Sequence, residues 1–314
     1  MEDVLLVMMI TRNLYGGFGS VYLATWLDGI RKVEKINSNN YYKKSRESNS
    51  IVALKTLTSS KENNFDPLKE YVNNGSLYKY LKNNFDKLLW QTKLQILKDI
   101  SQELNYIHYY ANYIHADFYS GNILQDQCDN KNISYIADLG LSRKLNESVP
   151  KGMIYGVMPY VAPEVLLGEQ QFTRKADIYG LGIIMAEIST GQRPFDGHKF
   201  DTKLAIKIIK RERPEFASKT PKCYIELAKQ CMDSDPQKRP DAWEIDNKIS
   251  KWLDNDEIKK QFLDANKVIK SLPISKHPDE IYTSKLISTK IISNAIKDLS
   301  QANSGQIKLN ITVF

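Results

Sequence analysis

Cysteine is scarce. Three occur in 314 residues, Cys128, Cys223 and Cys231, far apart and in no Cys-x-x-Cys spacing. An odd, scattered set excludes a disulfide framework and a paired-cysteine zinc site, and it points to a reducing compartment. Long apolar runs are lacking as well. The run near the start, Val4-Leu5-Leu6-Val7-Met8-Met9-Ile10, has seven residues, against the roughly twenty needed to cross a bilayer. Acidic residues precede it and no small-residue cleavage site follows, so it reads as a buried strand, not a signal peptide. Also missing is a sustained basic tract. Lys and Arg outnumber Asp and Glu by 44 to 37, a net charge of +7, yet the cations are scattered apart from groups such as Lys43-Lys44-Ser45-Arg46. That distribution suits a solvated surface, not a nucleic-acid groove. The expectation is a soluble cytoplasmic protein, with the nucleus also open to it, and no nucleic-acid or membrane partner.

What is present is an ordinary apolar share, 42%, in 314 residues, long enough for one large domain or for one two-lobed domain plus a tail. The first sixty residues read as strand, glycine turn and strand, then a polar insertion, then a further strand over Ile51–Leu57. Residues 28–50, rich in Asn, Lys and Ser around Asn37-Ser38-Asn39-Asn40, read as a flexible surface loop. From Trp90 the period turns helical: Trp90, Leu94, Leu97, Ile100, Leu104 and Ile107 mark one face of a long helix. Asp177 to Ser189 is apolar nearly all round, as a helix at the centre of a large core would be, and Gly191 is its stop signal. Ile258, Phe262, Leu263, Ala265, Val268 and Ile269 predict one amphipathic helix, and beyond Pro273 no period is visible. The order implies an α+β fold: a small β-rich lobe over 1–74, a mostly helical lobe over 75–250, and a partly ordered tail over 251–314.

The densest chemistry lies in His115-Ala116-Asp117-Phe118-Tyr119-Ser120-Gly121-Asn122, followed sixteen residues on by Asp138-Leu139-Gly140. A carboxylate in a tight loop can accept a hydroxyl proton, while an amide and a second carboxylate hold a hard cation against a polyphosphate. The arrangement resembles the catalytic loop and metal-binding motif of the eukaryotic protein kinases, and the Asp-Leu-Gly spelling looks most like the tyrosine-kinase-like group. The resemblance covers roughly residues 12–250. It implies a bilobal fold, ATP and Mg²⁺ as cofactors, and transfer of the γ-phosphate to a protein hydroxyl, Ser/Thr before Tyr, in intracellular signalling. Asp117 is implied as the base, and Asn122 and Asp138 as metal ligands. Gly16-Gly17-Phe18-Gly19, with Val21, resembles the later part of the glycine-rich loop, where backbone N–H groups approach phosphate without a Cβ in the way. Lys55, in Val52-Ala53-Leu54-Lys55, is similar to the lysine that pairs with the phosphates; alone it would read as an exposed strand lysine. Val21 and Ala53 would cover one face of the adenine and Leu124 the other. His115 and Leu139 match two of the hydrophobic positions that stack through an active kinase. Glu164, in Ala162-Pro163-Glu164, resembles the end of the activation segment, Arg239 its buried partner, and Asp177 the helix-start residue that holds the catalytic-loop backbone.

The chain also departs from that pattern. Glu70 lies fifteen residues after Lys55, where the regulatory-helix Glu belongs, yet Tyr71-Val72-Asn73-Asn74-Gly75-Ser76-Leu77 already resembles the hinge. About thirty residues of the small lobe are missing against the family pattern, and Glu70 fits either side of the join. The family's first loop glycine would fall at Leu14, Ala116 replaces the catalytic-loop Arg, Tyr119 a Lys, and Val157 the substrate-loop Thr. The second reading is therefore a catalytically impaired scaffold that binds a protein partner through its helical lobe. Neither the protein substrate nor the oligomeric state has a signature in the chain.

Overall fold

The computed structural model describes residues 8–16, 19–26, 30–35, 42–47, 50–55, 74–128, 131–145, 147, 152–267 and 276–309. The chain falls into two compact units, Met1–Tyr71 and Val72–Phe314.

The first unit is all strand among its described residues: β1 (Met8–Gly16), β2 (Gly19–Trp26), β3 (Ile30–Lys35), β4 (Tyr42–Glu47) and β5 (Ser50–Lys55). Antiparallel pairing gives one sheet in the order β1-β2-β5 and a separate ribbon, β3-β4. The ribbon corrects the expectation of an unstructured loop over 28–50. Polar composition hid it, because backbone pairing needs no apolar face. The flanks carry strand formers Ile30, Val33 and Tyr42, and Glu34 stands opposite Lys43 in the register. The Asn-rich centre of that segment lies outside the described residues, as do Val4–Val7 of the apolar start.

Among the described residues the second unit opens with Asn74 and Gly75, tied to β7 (Ile123–Cys128) by Asn74 N–H on the Gln125 carbonyl (3.2 Å) and Gln125 N–H on the Gly75 carbonyl (2.8 Å). Helix α1 (Leu77–Asn84) follows, then α2 (Trp90–Asn105), which runs on into one wider π turn over Tyr106–Tyr110. The face read from the sequence is the buried one: Trp90, Leu94, Leu97, Ile100 and Leu104. Short pieces β6 (Tyr113–Ile114), β8 (Lys131–Ile136), β9 (Arg143–Lys144) and β10 (Met153–Gly156) lead to α3 (Pro163–Leu166).

At the centre stands α4 (Arg174–Thr190), buried at every residue from Ala176 to Ser189. Gly191, at φ 71°, stops it in the left-handed conformation that glycine adopts without a Cβ penalty. Within α4, Gly180 lets the Phe118 carbonyl approach to where a Cβ would stand only 2.7 Å away. The absent side chain thus seats the segment beside Asp117 directly on the central helix. Helix α5 (Thr202–Ile209) packs on α3, α6 (Lys222–Cys231) packs on α4, and α7 (Ala242–Asp254) and α8 (Asp256–Ala265) pack on α2. The Trp90 ring meets Tyr224 edge-on at 4.9 Å and Phe262 at 5.4 Å, joining α2, α6 and α8 through one aromatic cluster.

The tail has more structure than its lack of sequence period suggested. Helix α8 ends at Ala265, with Val268 and Ile269 outside the described residues. Further on, β11 (Lys285–Ser288) and α9 (Thr289–Leu309) return to the helical unit, where α9 packs on α5 and α3. Among the described residues, no helix is long and apolar enough to cross a membrane.

Candidate active site

The loop after β6 is built around one carboxylate. Asp177, in the first turn of α4, accepts the His115 backbone N–H at 2.8 Å on Oδ2 and the Ala116 N–H at 3.0 Å on Oδ1. His108 Nε2 lies 2.8 Å from the same Oδ2. This clasp holds Ala116 at φ +65°, a left-handed conformation that costs a residue with a Cβ about 1 kcal/mol.

The His115 tautomer follows from its partners. Nε2 lies 3.0 Å from the Ala137 carbonyl, which only accepts, so Nε2 carries the hydrogen; Nδ1 accepts the Asp117 N–H at 3.3 Å. Burial pushes the imidazole pKa down, with the Asp177 charge opposing, which favours this neutral form. His115 is thus a bracket for the loop and not a proton shuttle.

Asn122 donates Nδ2 to the Asp117 carbonyl at 2.9 Å and, at 3.4 Å, to its carboxylate Oδ2. Ala137, whose carbonyl takes the His115 bond, gives its own N–H to the Asn122 carbonyl at 2.8 Å. Asp138 is the next residue, so Asp117, Asn122 and Asp138 are gathered at one locus by backbone ties. Asp138 sits at φ 60°, and its Oδ1 takes the Gly140 N–H at 3.3 Å, opening the turn Leu139–Leu141. Asn122 and Asp138 present hard oxygen donors, and a pair is the protein share that Mg²⁺ normally takes, the rest being water and phosphate. The donor set fits that cation. No cluster of three His, Cys, Asp or Glu side chains suited to a metal occurs among the described residues.

The other predicted positions fall as follows. Leu124 is buried on β7. Leu139 is 57% exposed and does not join the buried cluster around His115 and Phe118. In the first unit Gly16 pairs with Gly19 at the end of the β1–β2 hairpin, and Val21 stands opposite Lys55, with Leu23 opposite Ala53. Val21, Ala53 and Lys55 therefore occupy register positions of one sheet face, since opposite residues and every second residue share a side. Gly17, Phe18 and Glu70 lie outside the described residues. Glu164 and Arg239 form a bidentate pair, Nη1 to Oε1 at 2.8 Å and Nη2 to Oε2 at 2.7 Å, both side chains buried.

Sequence reading missed one of the buried carboxylates. Glu187, on α4, takes the Ser120 hydroxyl at 2.9 Å on Oε1 and the Tyr160 hydroxyl at 2.7 Å on Oε2. It thereby ties the loop after β6 to the segment before α3. The available signal was the single charged residue in the stretch 178–190. Burial raises its pKa from 4.5 to about 7, against the two hydroxyl hydrogen bonds and the Arg193 charge. A raised pKa means that the folded state binds the proton more tightly than the unfolded state. Its stabilising contribution is complete below pH 4.5 and is lost as pH rises through about 7. Relative to Glu187→Gln, the parent is expected to lose on the order of 2 kcal/mol of unfolding free energy between pH 5 and 8. Urea titrations of both proteins across that range test it; a pH-independent difference would refute the assignment.

The comparisons agree with this geometry. Residues 28–252 match the family described as the protein kinase domain. The chain belongs to the protein kinase family, whose members are phosphotransferases working with ATP and Mg²⁺. Among similar proteins is drkB of Dictyostelium discoideum, named as a serine/threonine-protein kinase, 33% identical over 242 residues, 72% of this chain and 34% of that one. Another serine/threonine-protein kinase by name, from the same organism, is 29% identical over 251 residues, 75% of this chain and 26% of its own length. An LRR receptor-like serine/threonine-protein kinase of Arabidopsis thaliana is 33% identical over 210 residues, 61% and 22%. The chain thus spans about a third or less of the curated relatives it matches.

Proposed function

We propose that the chain is an ATP- and Mg²⁺-dependent protein kinase of the tyrosine-kinase-like type, with a shortened small lobe, acting on protein Ser/Thr hydroxyls in cytoplasmic signalling. The observation that carries this reading is the convergence of Asp117, Asn122 and Asp138, locked by Asp177 and Ala137. The Ser/Thr preference is supported by the names of the relatives. In this reading Asp117 accepts the proton of the attacking hydroxyl. Asn122 and Asp138 would hold Mg²⁺, which when bound neutralises phosphate charge. Lys55, at the end of β5, orients the phosphates. The chain's own part is positioning and charge placement, with little covalent work of its own.

A scaffold without catalysis is the alternative. It is favoured by the short interval between Lys55 and the hinge-like Tyr71–Leu77 and by Ala116 in place of the catalytic-loop Arg. Calorimetry of Mg²⁺-ATP binding separates the two. The parent is expected to bind, and Lys55→Met and Asp138→Ala are each expected to weaken binding at least tenfold. A folded parent that binds no nucleotide would leave the scaffold reading.

A further inference from the structure

The C-terminal segment is fastened across the part of the chain that precedes the substrate loop. Strand β11 pairs antiparallel with β10, Met153 opposite Ser288 through Gly156 opposite Lys285. Among the described residues β10 has no other strand partner, and Val157, the position that resembles the substrate-loop Thr, follows it directly. A lone strand is not stable in water, so β10 keeps its extended form because the tail supplies the second strand.

The docking is built at several points. Asp196 accepts the backbone N–H of Lys276 at 2.7 Å and of His277 at 3.0 Å. Gly197 and Gly168, both with left-handed φ, leave room where a Cβ would meet Lys276 Cδ and Thr289 Oγ1 at 2.8 Å each. The Tyr282 hydroxyl donates to the Pro194 carbonyl at 3.0 Å, and its ring meets Phe200 edge-on at 4.9 Å. The Arg193 guanidinium lies 4.4 Å from the centre of the Tyr282 ring and pairs with Asp279 at 3.5 Å. Ile287 and Ile292 are buried in the common core.

We infer that the Met153–Gly156 edge is a docking strand for an extended polypeptide, and that residues 276–292 occupy it in cis as a built-in competitor of the protein substrate. A strand edge offers unpaired backbone groups that any extended chain can bond, and affinity comes from those bonds while side-chain pockets select the sequence. The docking rests on the geometry above; its consequence for phosphorylation rests on the kinase reading.

A reversible lock tests it in the full chain. The Thr289 N–H bonds the Gly152 carbonyl at 3.1 Å, so the adjoining Met153/Ser288 pair is a non-bonded one, with Cα atoms about 4.5 Å apart. That lies within disulfide reach, roughly 4.4–6.8 Å. Met153→Cys with Ser288→Cys is expected to cross-link on mild oxidation; failure to cross-link would overturn the pairing. A fluorescein-labelled peptide of the sequence 279–292 is then titrated by anisotropy against the oxidised chain and against full-length Ile287→Asp, whose own strand is loosened. Binding at least tenfold tighter to Ile287→Asp supports the docking site, and equal binding overturns it. The reversible lock needs no destabilising change, so its phosphorylation result stands even where Ile287→Asp unfolds. Phosphorylation of dephosphorylated casein is expected to drop at least tenfold on oxidation and return on reduction; equal rates overturn the competition. A reduced chain without any transfer, but with peptide discrimination intact, would sink the kinase reading and leave the docking strand standing.

Discussion

Asp117→Asn is expected to slow phosphate transfer by about a hundredfold to ten-thousandfold, the range that a positioned general base supplies, while leaving the fold in place. The structural reason is that Asp117 holds its place in the loop through its backbone. Its N–H bonds His115 Nδ1 and its carbonyl takes the short Asn122 bond, and neither tie changes when the carboxylate becomes an amide. An amide is nearly isosteric and keeps an oxygen at that position. The unfolding midpoint should therefore move by about 1 kcal/mol or less in free energy, so lost transfer would report chemistry and not collapse. Transfer by the variant at the parental rate would remove Asp117 from the mechanism.

The opposite outcome is expected of Glu164→Ala: a large loss of stability, about 3–5 kcal/mol, because a buried guanidinium is left without its carboxylate. Arg239 is among the largest fully buried side chains, and it also donates Nε to the Asp233 carbonyl at 2.8 Å and Nη1 to the Lys175 carbonyl at 2.9 Å. Those carbonyls keep the side chain in place and so hold the stranded charge inside. Arg239→Met combined with Glu164→Leu should cost less than either single change, since no charge then remains to be compensated. Urea unfolding of Glu164→Leu, Arg239→Met and their combination gives the coupling directly. Additive costs would mean that the pair is not the unit that the geometry suggests.

The two variants probe different kinds of information in the chain. The kinase motifs were legible because each has a local spelling: His115 to Asn122, Asp138-Leu139-Gly140, Ala162-Pro163-Glu164. The long helices were legible too, since their apolar periods follow from 3.6 residues per turn, and Gly191 marked the end of the most buried one. Composition misled over 28–50, where the ribbon β3-β4 is paired by backbone groups that carry no side-chain signature.

By itself, then, the sequence determined the family, the long helices and the motif residues on which the proposed phosphate and metal contacts rest, because these depend on short-range spacing. Only the tertiary structure decided which groups beside Asp177 hold the loop after β6, since His108 with Asp177, Ser120 with Glu187 and Ala137 with Asn122 are partners distant in sequence. It alone also placed the tail. The short strand Lys285–Ser288 has no pattern of its own, and it becomes a strand because Met153–Gly156 lies beside it to accept and return its hydrogen bonds. Such a pairing is a property of two segments, so neither one records it.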